Sequence, residues 1–368
     1  MTALDFFTTS DFREAYQPMN ASRHAKDLKI ETLRGLALIL MVIGHIIGSS
    51  PEVGMRVAED SFLRYLYDSL APIRMPLFTA ISGFVYALRP VTPASRVRPF
   101  LWGKVIRIGI PLVVVSALFF FSRLLIPDTS MTPKLENFFV RFIYGYAHFW
   151  FLQAILVIFL VIAVLDKCNV TTGFAPALGI LAGALLLPPW LPRPPGVFSL
   201  DQALALFPFF MLGLCLCRFP AALGNRRSIL PIAAVAALLL ATYQAHLLGL
   251  LDLAPERLGI LGVALGLSAI HTLIALRFYF APLRFLGQYA YEVYLFHVFG
   301  TAGARILLSK LDIHAPLPVF ALGLAAGLLL PIALKRIAQQ NAVCDLLLFG
   351  SKRAPLLPAQ RQPLREGS

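Results

Sequence analysis

Apolar residues run along this chain in ten long blocks, near 31–49, 72–88, 108–126, 149–165, 174–191, 203–217, 228–250, 258–276, 285–308 and 316–334, separated by short polar stretches. A block of about 20 apolar residues matches the thickness of a bilayer's hydrocarbon, where each segment must close its own backbone hydrogen bonds. The pattern therefore predicts an all-α polytopic membrane protein with about ten transmembrane helices. The first block is too long for the apolar region of a signal peptide, and no small-residue cleavage site follows it, so it reads as a retained span. The organisation expected is a segment 1–29, a membrane domain 30–336 and a tail 337–368.

Loop charges orient the helices, because short cytoplasmic loops are enriched in Lys and Arg. The stretch 89–107 holds Arg89, Arg96, Arg98, Lys104 and Arg107 and no acid. The preceding loop mixes Glu52, Glu59, Asp60 and Asp68 with Arg56 and Arg64. Further basic turns at Arg218, Arg226 and Arg227, at Arg277 and Arg284, and at Lys335 and Arg336 fit an even number of helices with both ends inside. Only 14% of the 368 residues are charged and 58% are hydrophobic, which excludes an ordinary soluble enzyme. The net charge of +13 then follows from topology and anionic lipid, and it does not call for nucleic acid.

Within the apolar blocks a few polar residues stand out. Arg34 and His45 are eleven residues apart, about 20° past three full helical turns, so they share one face about 16 Å apart, with Glu31, Leu38 and Met41 on the same stripe. Ionisable side chains in a span face other helices or a water-filled cavity, so this stripe is expected to point inward. The plainer alternative makes Arg34 a flanking anchor and His45 an interfacial histidine. The second block opens with Arg74 and continues to Ser82-Gly83, which brings Arg74 to the height of His45 in an antiparallel hairpin. Ser82 and Gly83 read either as a polar contact or as helix packing. His148 and Trp150 open the fourth span, where aromatic belts also occur.

In the ninth span, Tyr289, Tyr291, Glu292, Tyr294 and His297 place a carboxylate, three phenols and an imidazole at membrane depth. Tyr294 and His297, three apart, can face one cavity. Arg96, Arg98, Lys104 and Arg107 would suit a phosphate-bearing ligand, although the positive-inside rule alone also yields such a loop. Cys168, Cys215, Cys217 and Cys344 have no disulfide or metal spacing, so no metal is expected.

Four ordered segments resemble the acyltransferase type 3 family of integral membrane acyltransferases: Glu31-x-x-Arg34 with His45, Met75 to Phe84 around Ser82-Gly83, His148-Phe-Trp-Phe-Leu152, and Gly287 to His297. The sequence departs from the family at Glu31, where Asp is frequent, and at Ala290, where Ser is frequent. The resemblance implies a stand-alone enzyme of the bacterial inner membrane that moves an acyl group, usually acetyl from acetyl-CoA, to a hydroxyl of an exported glycan such as exopolysaccharide or of a polyprenyl-linked one. It also implies His45 as catalytic histidine with Arg34 and Glu31 as partners. Arg96, Arg98, Lys104 and Arg107 would hold acyl-CoA. Arg74, Ser82, His148, Trp150, Tyr294 and His297 would contact substrate, with Arg74, Tyr294 or His297 as oxyanion donor. The chemistry is consistent, since an imidazole kept from water stays neutral and accepts a proton from a sugar hydroxyl. Direct transfer and an acyl-histidine intermediate both remain open. A glycan or lipid transporter, with charges lining a pathway, is the alternative from another class, and N-acetylation of an amino sugar a second enzymatic one.

Overall fold

The structure is a computed structural model that describes residues 27–94, 97–126, 133–186 and 196–351. The described residues form helices α1 (Leu28–Ile47), α2 (Phe62–Leu70), α3 (Arg74–Leu88), α4 (Val97–Lys104), α5 (Ile110–Leu125), α6 (Phe138–Ile143), α7 (Trp150–Lys167) and α8 (Phe174–Leu186). There follow α9 (Leu200–Arg218), α10 (Arg226–Leu247), α11 (Pro255–Leu276), α12 (Ala281–Gln288), α13 (Ala290–Lys310), α14 (Pro316–Ala338) and α15 (Ala342–Phe349). No strand occurs among them.

Each of the ten apolar blocks contains a helix, and among the described residues eight helical segments are long and apolar enough to cross a membrane. The two predicted spans that fall short do so for different reasons. Helix α8 is apolar but has only 13 residues, whereas α13 has 21 residues and carries Glu292, His297 and Arg305 within them.

The bundle is organised around α1, which packs on α3, α12, α13 and α14. Asp27 caps its first turn by accepting from the Lys29 and Ile30 amides and is ion-paired with Arg277. Helices in lipid gain little from the hydrophobic effect against each other, so close backbone contact at small residues holds them. Gly35 lies on the Leu283 carbonyl and Gly287 on the Glu31 carbonyl, which joins α1 to α12. Gly83 faces the Phe210 backbone and Gly213 that of Ala80, which joins α3 to α9, and Gly300 meets Ala326 to join α13 to α14. Helix α10 is the least enclosed of the candidate spans, followed by α11 and α14, and all three present apolar sides outward.

Two buried ion pairs tie ends of the bundle. Asp166 of α7 accepts a two-pronged bond from Arg218 of α9 (2.6 and 3.0 Å), a bond from the Tyr86 hydroxyl (2.7 Å) and one from Thr171. Lys335 of α14 pairs with Asp345 of α15 and donates to Ser351. Residues 342–351, expected as part of a tail, instead fold back against the start of α5. Phe349 is fully buried there, and Gly350, at a φ of +61°, lets the chain pass over the Ile106 carbonyl.

Candidate active site

Three histidines from three helices meet in the middle of the bundle. The ring centroids of His45 and His297 are 4.7 Å apart, those of His148 and His297 4.9 Å, and those of His45 and His148 6.0 Å. His148 and His297 are buried, whereas His45, though deep among protein atoms, keeps exposed surface. His45 is thus the accessible member of the three.

Local hydrogen bonds set the protons of two of the rings. His297 turns Nδ1 to the Val293 and Tyr294 carbonyls of its own helix (3.0 and 2.9 Å), and His148 turns Nε2 to the Leu295 carbonyl at 3.4 Å. A carbonyl only accepts, so these nitrogens carry the protons, and His297 Nε2 and His148 Nδ1 are lone pairs with no hydrogen-bond partner. Tyr294 is buried next to both rings, and its hydroxyl donates to the His148 carbonyl, fixing the short turn before α7. Neither Tyr294 nor His297 therefore has a free donor for an oxyanion, contrary to the sequence expectation. Arg74 retains that capacity. Its guanidinium lies 3.9 Å from the Tyr67 ring centroid and against Gly44, the residue before His45, in a space that any side chain at position 44 would fill.

At the other end of the α1 stripe, Arg34 is half-buried, within electrostatic reach of Glu31 and Arg107, and has no carboxylate at ion-pair distance among the described residues. Glu31 is buried, with Arg284 Nε 3.8 Å from its carboxylate. Leu38 and Met41, between Arg34 and His45, are buried in the core. Arg107 sits on a π-helical stretch, Val105–Gly109, of the kind that recurs at functional sites. Pro111 lacks the N–H that an α-helix would offer to the Arg107 carbonyl, and the Tyr291 hydroxyl donates to that carbonyl at 2.5 Å. The Arg107 guanidinium lies 4.6 Å from the Tyr291 ring and 4.0 Å from Glu292, and donates to the Phe349 carbonyl at 3.3 Å. Lys104 turns inward, 3.4 Å from the Phe159 ring centroid, and Arg98 is exposed on α4. Arg96 lies outside the described residues.

Two other expected residues stand apart from the histidines. The Ser82 hydroxyl bonds the Phe78 carbonyl of its own helix (2.9 Å), and its neighbour Gly83 serves the α3–α9 contact. Trp150 lines a separate cleft of about 390 Å³ with Tyr144, Ser199, Asp201 and Gln202. Sequence reasoning did not single out Arg284 or Tyr67, since a basic loop residue and an interfacial tyrosine carry no local signal of a site. Among the described residues no group of three or more His, Cys, Asp or Glu side chains has metal-binding geometry.

The arrangement is an accessible imidazole flanked by two imidazole lone pairs and an arginine, on the same helix as Arg34. No curated protein and no solved structure matches the chain. Residues 27–336, which hold all three histidines, Arg34 and Arg107, match the family described as an acyltransferase domain, and the chain therefore belongs to the acyltransferase type 3 family of membrane acyltransferases.

Proposed function

We propose that this acyltransferase moves an acetyl group from acetyl-CoA on the cytoplasmic side to a hydroxyl of an exported or lipid-linked glycan, such as exopolysaccharide, in the bacterial inner membrane. The observation that carries this reading is His45, accessible in the interior and held between the Arg34–Arg107 opening and the far end of the bundle. The charge asymmetry of the loops supports a cytoplasmic Arg34 end and cytoplasmic termini.

In this mechanism His45 donates its own N–H to the unpartnered Nε2 of His297, which leaves the other His45 nitrogen as base. That nitrogen removes the proton from the acceptor hydroxyl as its oxygen attacks the thioester carbonyl. The carbonyl π bond opens to an oxyanion, which Arg74 stabilises. The C–S bond then breaks, and the departing thiolate takes the proton from His45. General base catalysis contributes about 10²- to 10⁴-fold, and alignment of the two substrates supplies more. Arg34 and Arg107, with Arg98 and Lys104 nearby in the chain, serve the CoA phosphates, for which guanidinium forks are well suited. Glu31 and Glu292 hold this opening in shape through Arg284 and Arg107.

Mass spectrometry of surface glycans from a deletion strain complemented with wild type or His45→Ala tests the reading. Acetylation is expected to return with wild type alone. Equal acetylation with the folded variant would remove His45 from the mechanism.

A further inference from the structure

Four arginines gather at the end of the bundle opposite Arg34 and Arg107. Arg305 lies eight residues beyond His297 on α13, about 12 Å along the helix axis, and donates from Nη1 to the Gly54 carbonyl at 2.8 Å. Arg56, two residues after Gly54, and Arg123, in the last turn of α5, are both within electrostatic reach of Arg305. Arg123 and Arg141 flank Tyr146, the Arg141 guanidinium being 5.4 Å from its ring centroid. The Phe119 ring, 5.9 Å from Arg123, touches Tyr146 on one side (5.5 Å) and His148 on the other (5.7 Å). One aromatic ring thus separates this cluster from the histidines.

Nothing in the described protein neutralises the cluster. None of the four arginines has a carboxylate at ion-pair distance among the described residues. Tyr146 is only 6% exposed, and its hydroxyl lies within reach of the Arg123 and Arg141 guanidinium groups. Topology does not explain the charges either, since short loops on the exported side are not enriched in arginine. Leu125 and Leu307, two residues beyond Arg123 and Arg305 and so on a different helix face, are exposed at the same end of the bundle.

We propose that Arg56, Arg123, Arg141, Arg305 and the Tyr146 hydroxyl form a site for the phosphate or diphosphate of a lipid-linked acceptor, placing a hydroxyl of its sugar at His45. This rests on the reading that the acceptor reaches His45 from the exported end. Four cationic forks and a hydroxyl donor match the charge and the several acceptor oxygens of a diphosphate better than a single carboxylate. Phe119 forms the wall between anchor and reacting sugar.

Binding of geranylgeranyl diphosphate, used as the probe, to the full-length protein in phosphatidylcholine nanodiscs tests the site without needing turnover. Wild type is expected to bind it saturably, with geranylgeraniol failing to compete. The double variant Arg123→Gln with Arg305→Gln is expected to weaken binding at least tenfold, the double lysine variant less, and Tyr146→Phe a few-fold. Unchanged acetyl-CoA binding establishes that each variant is folded. Unchanged probe affinity in the folded glutamine variant overturns the site. So does phosphatidylglycerol competing as well as the diphosphate, which would make the arginines ordinary headgroup anchors. Diphosphate binding by a wild-type protein that transfers no acetyl to any glycan would instead count against the acyl-acceptor reading.

Discussion

The imidazoles of His45 and His297 lie 4.7 Å apart between centroids, and the His297 proton is held by the Val293 and Tyr294 carbonyls of its own helix. His297 can therefore serve His45 only as an acceptor. His297→Ala is expected to lower kcat by about 10- to 100-fold with little change in KM for acceptor, because it removes orientation of the base and leaves the base in place. His45→Ala is expected to abolish transfer, and the double variant to be no worse than His45→Ala, as for residues that act as a unit. Radiolabelled acetyl transfer by purified protein measures this, and additive losses would separate the two histidines.

Among the described residues Arg34 has no ion pair to replace, so its planar fork is available to a ligand. Arg34→Lys is expected to be nearly as inactive as Arg34→Ala, with KM for acetyl-CoA raised in both. Full activity of the lysine variant would show that charge alone is needed.

Helix α15 lies beyond the matched family region, yet its last carbonyl accepts from Arg107. Phe349→Ala removes a fully buried ring that packs on Phe296 and under Lys335, which shifts that carbonyl. KM for acetyl-CoA is expected to rise severalfold while KM for the acceptor stays constant. Equal changes in both would point to general loosening of the bundle.

Asp166 is 1% exposed and balances Arg218 inside the protein. Asp166→Asn leaves that guanidinium without its counter-charge and is expected to cost about 3–5 kcal/mol, read as a lower unfolding midpoint in detergent. Replacing Asp166 and Arg218 together by apolar residues of similar volume is expected to recover much of the loss.

Gly213→Leu and Gly83→Leu would drive side chains into the backbone of the facing helix, where even a methyl group has no room. Both are expected to reduce the yield of folded protein more than Gly103→Leu, a position open to its surroundings. Size-exclusion profiles of the three variants decide this.

The sequence by itself determined what depends on neighbours within one helix. Hydrophobic block length made the chain a helical membrane protein, and the 3.6-residue period placed Glu31, Arg34 and His45 along one stripe. The polarity that marks Glu292 and His297 as a site also keeps α13 out of the helices apolar enough to cross a membrane. Only the tertiary structure decided which helices meet. His45, His148 and His297 are about a hundred residues or more apart in sequence, and only the packing of their elements brings the three rings together. It likewise decided hydrogen-bond commitments. The Tyr294 hydroxyl and the His297 N–H looked free along the helix, but carbonyl groups across the turn and within the helix take them. Helix periodicity fixes the direction of a side chain from local geometry, whereas its partners depend on the crossing of helices distant in the chain, which no local pattern encodes.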